Sequence, residues 1–255
     1  QISKLILWFY NRPNGIATIS FAKRNVAIFF ILVGLVGSTL SAGLSVLYAS
    51  GPNIAVAHVN GVIDPGTERY LSRVIDKVSK DSNTHVLVVV LNTPGGLIDS
   101  TRTIVDKVLT SDVPIVVYVS PNGARAASAG TFIVAAADVS AMSPVSSIGA
   151  ASPVGPDGEL PATVKSKVTQ DMAAFLRGIA KEKNRNILAY ESTVLESRSY
   201  SSSEALNNGL IDFIAEDLDD LLMMLNGKNI KNRSGEVTVT TDNLTIVSLE
   251  KTLLD

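Results

Sequence analysis

The run His85–Leu91, HVLVVVL, is apolar at nearly every position and rich in β-branched residues, the pattern of a strand covered on both faces rather than one. Two further runs of the same kind flank it: Ile54–Asn60, IAVAHVN, and Pro114–Val119, PIVVYV. The first gap holds Pro65–Ser79, with Leu71, Val74, Ile75 and Val78 at helical spacing, and the second holds Leu97–Leu109, with Ile98, Thr101, Val105 and Val108. Strands alternating with helices of this length predict βαβ units, hence an α/β fold with a mostly parallel sheet. In such sheets ligands bind beyond the carboxyl ends of the strands. Two segments stand at that edge, Thr93–Gly96 and Ser120–Ser128.

Downstream, the spacing predicts a small-residue helix over Ala126–Ala137, a Gly/Pro/Ser-rich loop over Ser143–Pro161 and a long amphipathic helix over Val164–Lys183. Ser201-Ser202-Ser203-Glu204 reads as a capping box opening a short helix that Gly209 ends, with a strand at Leu210–Ala215. Alternation in VTVTT and TIVSL predicts a terminal hairpin over Lys228–Ser248. A chain of 255 residues with 46% hydrophobic content can bury one substantial core. The expected organisation is an N-terminal segment over 1–25, an apolar segment over 26–48, the main domain over 52–226 and a β-hairpin extension over 227–255. A net charge of -2 supplies no basic field for nucleic acid, and the lack of cysteine removes disulfides and thiolate chemistry.

Residues Val26–Tyr48 form an uncharged apolar run, long enough for the ~20 residues that cross a hydrocarbon core. Lys4, Arg12, Lys23 and Arg24 precede it with no acidic residue, and the first full charge after it is Asp64. That asymmetry predicts a cytoplasmic N-terminus and export of the rest. A cleaved signal sequence is the alternative to a retained helix, with Ser41, Ala42, Gly43, Ala49 and Ser50 as small residues near a cleavage point. Either way the folded domain lies outside the cytoplasm.

Two groups at the sheet edge can carry chemistry. Gly95 and Gly96 end a buried strand, where a backbone free of side chains can turn two amides toward a developing oxyanion; a plain tight turn uses the same residues. Ser128 sits among small residues in Gly123–Gly130, at an expected helix start that favours negative charge on its oxygen, although a packing helix can also begin so. A base is then needed. The only histidines, His58 and His85, both precede Ser128, which rules out the Ser, acid, His order and leaves a His, Asp, Ser order with Asp99 formally open. Lysine is the other candidate, at Lys165 or Lys167, where the long helix begins. An amine serves as a base only when neutral, so it must enter an apolar recess; most lysines stay solvated.

At these residues the sequence resembles the membrane-bound serine peptidases of the NfeD family, within the ClpP/crotonase superfamily and related to signal peptide peptidase A. The resemblance lies in Val59–Asp64, Leu91–Leu97, Gly123–Thr131, Ile148–Pro153, Ser203–Leu206 and Gly209–Asp212. It implies a ClpP/crotonase-like fold and a serine-lysine dyad of Ser128 and Lys167 with oxyanion donors at Gly95 and Gly96. Lys167-Val168-Thr169-Gln170-Asp171 matches the family's lysine better than Lys165 does. It further implies cleavage of hydrophobic segments of stomatin-like membrane proteins, no cofactor or metal, and at least a homodimer. Longer members continue into further membrane helices and an OB-like barrel. Two rivals share these residues: an acyl-CoA-binding crotonase-type enzyme, and an inactive membrane scaffold that binds a stomatin-like partner.

Overall fold

The computed structural model describes residues 53–155, 158, 160–241, 245–252 and 255. The expected membrane or signal segment at 26–48, and the N-terminal segment before it, lie outside the described residues. The described chain runs β1 (Asn53–Asn60), α1 (Pro65–Val78), β2 (Thr84–Asn92), α2 (Ile98–Leu109), β3 (Ile115–Val119), β4 (Arg125–Ala127), α3 (Ala129–Ala136), β5 (Val139–Met142) and β6 (Ser147–Gly149). It continues with α4 (Ala162–Glu182), α5 (Ile187–Leu195), β7 (Ser199–Ser201), α6 (Ser202–Asn207), β8 (Phe213–Ile214), α7 (Leu218–Leu225), β9 (Lys228–Asn232), β10 (Gly235–Val239) and β11 (Thr245–Ser248).

Six strands form one sheet in the order β11-β1-β2-β3-β5-β8, and every pairing in it is parallel. The continuous apolar runs are explained by cover on both faces. Ala55, Ala57 and Val59 of β1, with Leu87, Val89 and Leu91 of β2, face the core shared with α1, α2 and α3. Their alternates Ile54, Val56, Val86 and Val88 face a second cluster closed by Leu221 and Leu225 of α7 and by Ile230 and Val239 of the hairpin. Asp64 starts α1 by accepting from the Thr67 amide at 2.7 Å, with proline in the first turn. Ser201 and Glu204 form the capping box of α6 with both reciprocal bonds made.

The segment Ala126–Ala137 divides: Arg125–Ala127 pairs with β6 as a strand, and helix begins only at Ala129. Tertiary pairing overrides the helical bias of alanine there. The alternation over 228–248 likewise divides. The hairpin takes Lys228–Val239, whereas Thr245–Ser248 crosses to the edge of the main sheet beside β1. The second, small sheet has the order β4-β6-β7 and stands at the carboxyl end of the main one.

Candidate active site

Thr93, wholly buried just past β2, organises the first half of the site. Its amide donates to the Arg125 carbonyl at 2.8 Å and its carbonyl accepts from Ala127 at 3.1 Å, which ties the strand end to β4. Its hydroxyl accepts from the Gly95 amide at 3.0 Å and donates to the Gly95 carbonyl at 3.2 Å. On the far side, Ile63 donates to the Gly95 carbonyl at 2.9 Å and Leu97 donates to the Ile63 carbonyl at 2.8 Å. The Gly-Gly turn is therefore held from two sides.

Both glycines are required by space. Gly95 has φ +121°, and a Cβ there would lie 2.7 Å from Ser128 Cβ and 3.2 Å from Ser128 Oγ. A Cβ on Gly96 would lie 2.0 Å from the Ile63 carbonyl oxygen. The turn thus packs against Ser128 itself.

Ser128 joins β4 to α3 at φ 51° and ψ -111°, outside the regions an L-residue ordinarily occupies. Such a conformation costs roughly 1–3 kcal/mol and persists only where the surroundings impose it. Here the Ser128 amide donates to the Gly149 carbonyl at 2.9 Å, and its carbonyl accepts from Thr131 at 2.9 Å. The buried Thr131 hydroxyl adds contacts to the carbonyls of Ala126 at 3.0 Å and Gly149 at 3.1 Å. Gly130 must also be small, since a Cβ there would come within 2.7 Å of Thr93 Cγ2. The small-residue motif is the fitting of a sharp strand-to-helix turn against the Gly-Gly turn.

Ser128 lines a cleft of about 470 Å³, part of it open to solvent. Its walls include Gly96, Ile98, Ala129, Phe132, Met172 and Phe175. The rings of Phe132 and Phe175 stack with centroids 5.8 Å apart, so α3 and α4 meet beside the serine. Among the described residues the amides of Gly96 and Ala129, both on the cleft wall, meet no acceptor, whereas the Gly95 amide is taken up by Thr93. Sequence reasoning paired Gly95 with Gly96; it missed Ala129, whose amide is one of the free donors at the start of a helix.

Lys167 and Lys165 project from the exposed first turns of α4. Neither lines the cleft, and among the described residues no hydrogen bond joins Lys167 to Ser128. The two turns nearer the core, with Met172 and Phe175, do reach the cleft. Neither histidine lines it, nor does Asp99. Arg102 and Phe132, which the sequence did not single out, stand in the wall.

The family described as "NfeD1b, N-terminal domain" matches residues 53–233. The chain is 33% identical over 180 residues to the membrane-bound protease PH1510 of Pyrococcus horikoshii, a match spanning 70% of this chain and 41% of that protein. It is 31% identical over 135 residues to the membrane protein NfeD1b of Bacillus subtilis, spanning 53% of this chain and 29% of that one. The chain thus matches less than half the length of either relative. Among solved structures it resembles the stomatin-specific protease 1510-N of Pyrococcus horikoshii, in a lysine-to-alanine variant bound to a substrate peptide. There the TM-score is 0.73 at 31% identity, covering 81% of this chain and 95% of that one. ClpP1 from Listeria monocytogenes shares the fold at TM-score 0.53 and 18% identity, covering 65% of this chain and 94% of that one.

Proposed function

The chain belongs to the family of NfeD1b N-terminal domains, and from that premise we propose that it is a membrane-tethered serine endopeptidase with Ser128 as nucleophile and Lys167 as general base. The observation that carries the reading is the strained Ser128 in the wall of a mostly apolar cleft, beside Gly96 and Ala129, whose amides meet no acceptor among the described residues. Backbone strain of this kind gathers at active sites and ligand clamps. Support also comes from the similar protease 1510-N, studied as a serine-to-alanine and as a lysine-to-alanine variant.

In the reaction, neutral Lys167 takes the Oγ proton as Ser128 attacks a peptide carbonyl. The amide of Gly96, on the turn that Thr93 and Gly95 hold, and the amide of Ala129 at the start of α3 donate to the developing oxyanion. The lysine ammonium then protonates the leaving amine, leaving a serine ester. Water, deprotonated by the same lysine, cleaves that ester and frees the acid and Ser128.

Lys167 must approach for this to occur. The helix that carries it begins at Ala162, after a Pro161 that provides no side-chain cap, and a shift of those first turns would bring Lys167 toward Ser128 while Met172 and Phe175 keep the later turns docked. Substrate filling the apolar cleft would exclude water and favour the neutral amine. The segment at 26–48 would hold the domain at the outer membrane surface, within reach of apolar stretches of a stomatin-like protein, and the resemblance implies a homodimer or larger homo-oligomer.

Cleavage of a leucine-rich peptide, followed by mass spectrometry, tests the assignment. Ser128→Ala and Lys167→Ala are each expected to lower the rate by ~10³-fold or more with the fold intact. Unchanged cleavage by either variant would refute it. The solvent position of Lys167 favours one rival, a scaffold without catalysis. A wild-type chain that binds a stomatin-like protein but cuts no peptide would decide for that rival.

A further inference from the structure

Among the described residues lining the cleft, Arg102 is the one that carries charge. It comes from α2, one turn past the Gly-Gly turn, and its guanidinium lies 4.3 Å over the Phe175 ring. Its Nη2 donates to Asp171 Oδ2 of α4 at 2.5 Å. Asp171 is largely exposed and stands on the outer side of the pair, away from the cleft wall. A cation in the wall of a mostly apolar cleft, stacked on an aromatic face and paired with a carboxylate that lies outside that wall, brings little net charge to it.

We propose that the Arg102–Asp171 pair sets the side-chain selectivity of this cleft. Resting on the peptidase reading, the cleft takes the side chain of the residue whose carbonyl Ser128 attacks. While Asp171 counters Arg102, apolar side chains are admitted and acidic ones gain nothing. Without Asp171, the guanidinium becomes an unpaired positive charge beside the bound side chain, and an acidic group is selected. Specificity is thus set by a carboxylate that never touches the substrate.

The test uses the full chain in detergent and two leucine- and alanine-rich peptides, identical except for Leu or Glu at the central position. Binding is read by fluorescence anisotropy on the Ser128→Ala background, so it needs no turnover. Adding Asp171→Asn is expected to raise the Glu-to-Leu affinity ratio about ten-fold, since a charge interaction in a partly screened site is of that order. Adding Arg102→Met to Asp171→Asn is expected to abolish that gain. An unchanged ratio in the Asp171→Asn chain, or a gain that survives Arg102→Met, would overturn the proposal. Arg102→Met alone gives a second reading: the Glu peptide should gain nothing from it, and any gain would equally overturn the proposal. Turnover of the Leu peptide by the Ser128 chain is scored separately; its absence would remove the peptidase reading and leave the binding result to stand by itself.

Discussion

Gly95 lies so close to Ser128 that it leaves no room for a side chain of its own. Gly95→Ala would drive a methyl group to 2.7 Å from Ser128 Cβ while holding alanine at φ +121°. We expect it to abolish peptide cleavage and to destabilise the fold by about 1–3 kcal/mol, measured by urea unfolding. Thr93→Val is the gentler probe: it keeps the shape but releases the Gly95 amide and carbonyl from the hydroxyl. The expected outcome is a fall in kcat with little change in KM, because the loosened turn no longer holds the Gly96 amide where the oxyanion forms. At this scale the sequence was informative about glycine and serine and uninformative about partners. Pro-Gly-Gly and Ala-Ser-Ala-Gly announce close backbone approach, but which amide stays free is decided by the Thr93 side chain, and no local pattern records that. Ala129 was passed over for the same reason, since an alanine shows nothing of its own amide.

Among the elements, β1, β2 and β3 with α1 and α2 were legible because their apolar periodicities are unmixed and each helix face matches a sheet face. The helix α7 was not, since nothing in LDDLLMML says which face it seals, and the alternation that announced a hairpin told neither that it covers the second sheet face nor that Thr245–Ser248 leaves it for the main sheet. Leu221→Ala should test that cover: it is wholly buried, and its loss should cost about 2–5 kcal/mol in unfolding free energy while leaving the cleft on the other face intact. The start of α1 responds to pH. The Thr67 amide and hydroxyl hold the Asp64 carboxyl below the usual carboxylate range. A lowered carboxylate stabilises the fold above its ordinary titration range, and that contribution disappears as pH falls through the lowered value. Thermal melts should therefore lose stability on acidification below about pH 4. Asp64→Asn, a capping residue without charge, should make that acid limb shallower while costing little at pH 7.

For the whole molecule, the fold places Ser128, Gly96, Ala129 and the cleft they line at the carboxyl edge of a parallel sheet, where the βαβ pattern said a ligand would sit. The resemblance drawn from scattered motifs agrees with the family match over residues 53–233 and with the solved protease fold. What the chain pattern did not contain is where Lys167 stands, because the helical spacing that places it at the start of α4 does not say that those first turns are exposed while Met172 and Phe175 reach the cleft. The central claim is that this exposed lysine and the strained serine become a single reacting unit. It is tested most directly by a crystal structure of the chain with a leucine-rich peptidyl boronate, which forms a tetrahedral adduct on a reactive serine. The account predicts boron bonded to Ser128 Oγ, one boronate oxygen on the amides of Gly96 and Ala129, and Lys167 Nζ within hydrogen-bond reach of Oγ. An adduct on Ser128 with Lys167 still pointing into solvent, or no adduct at all, would contradict it.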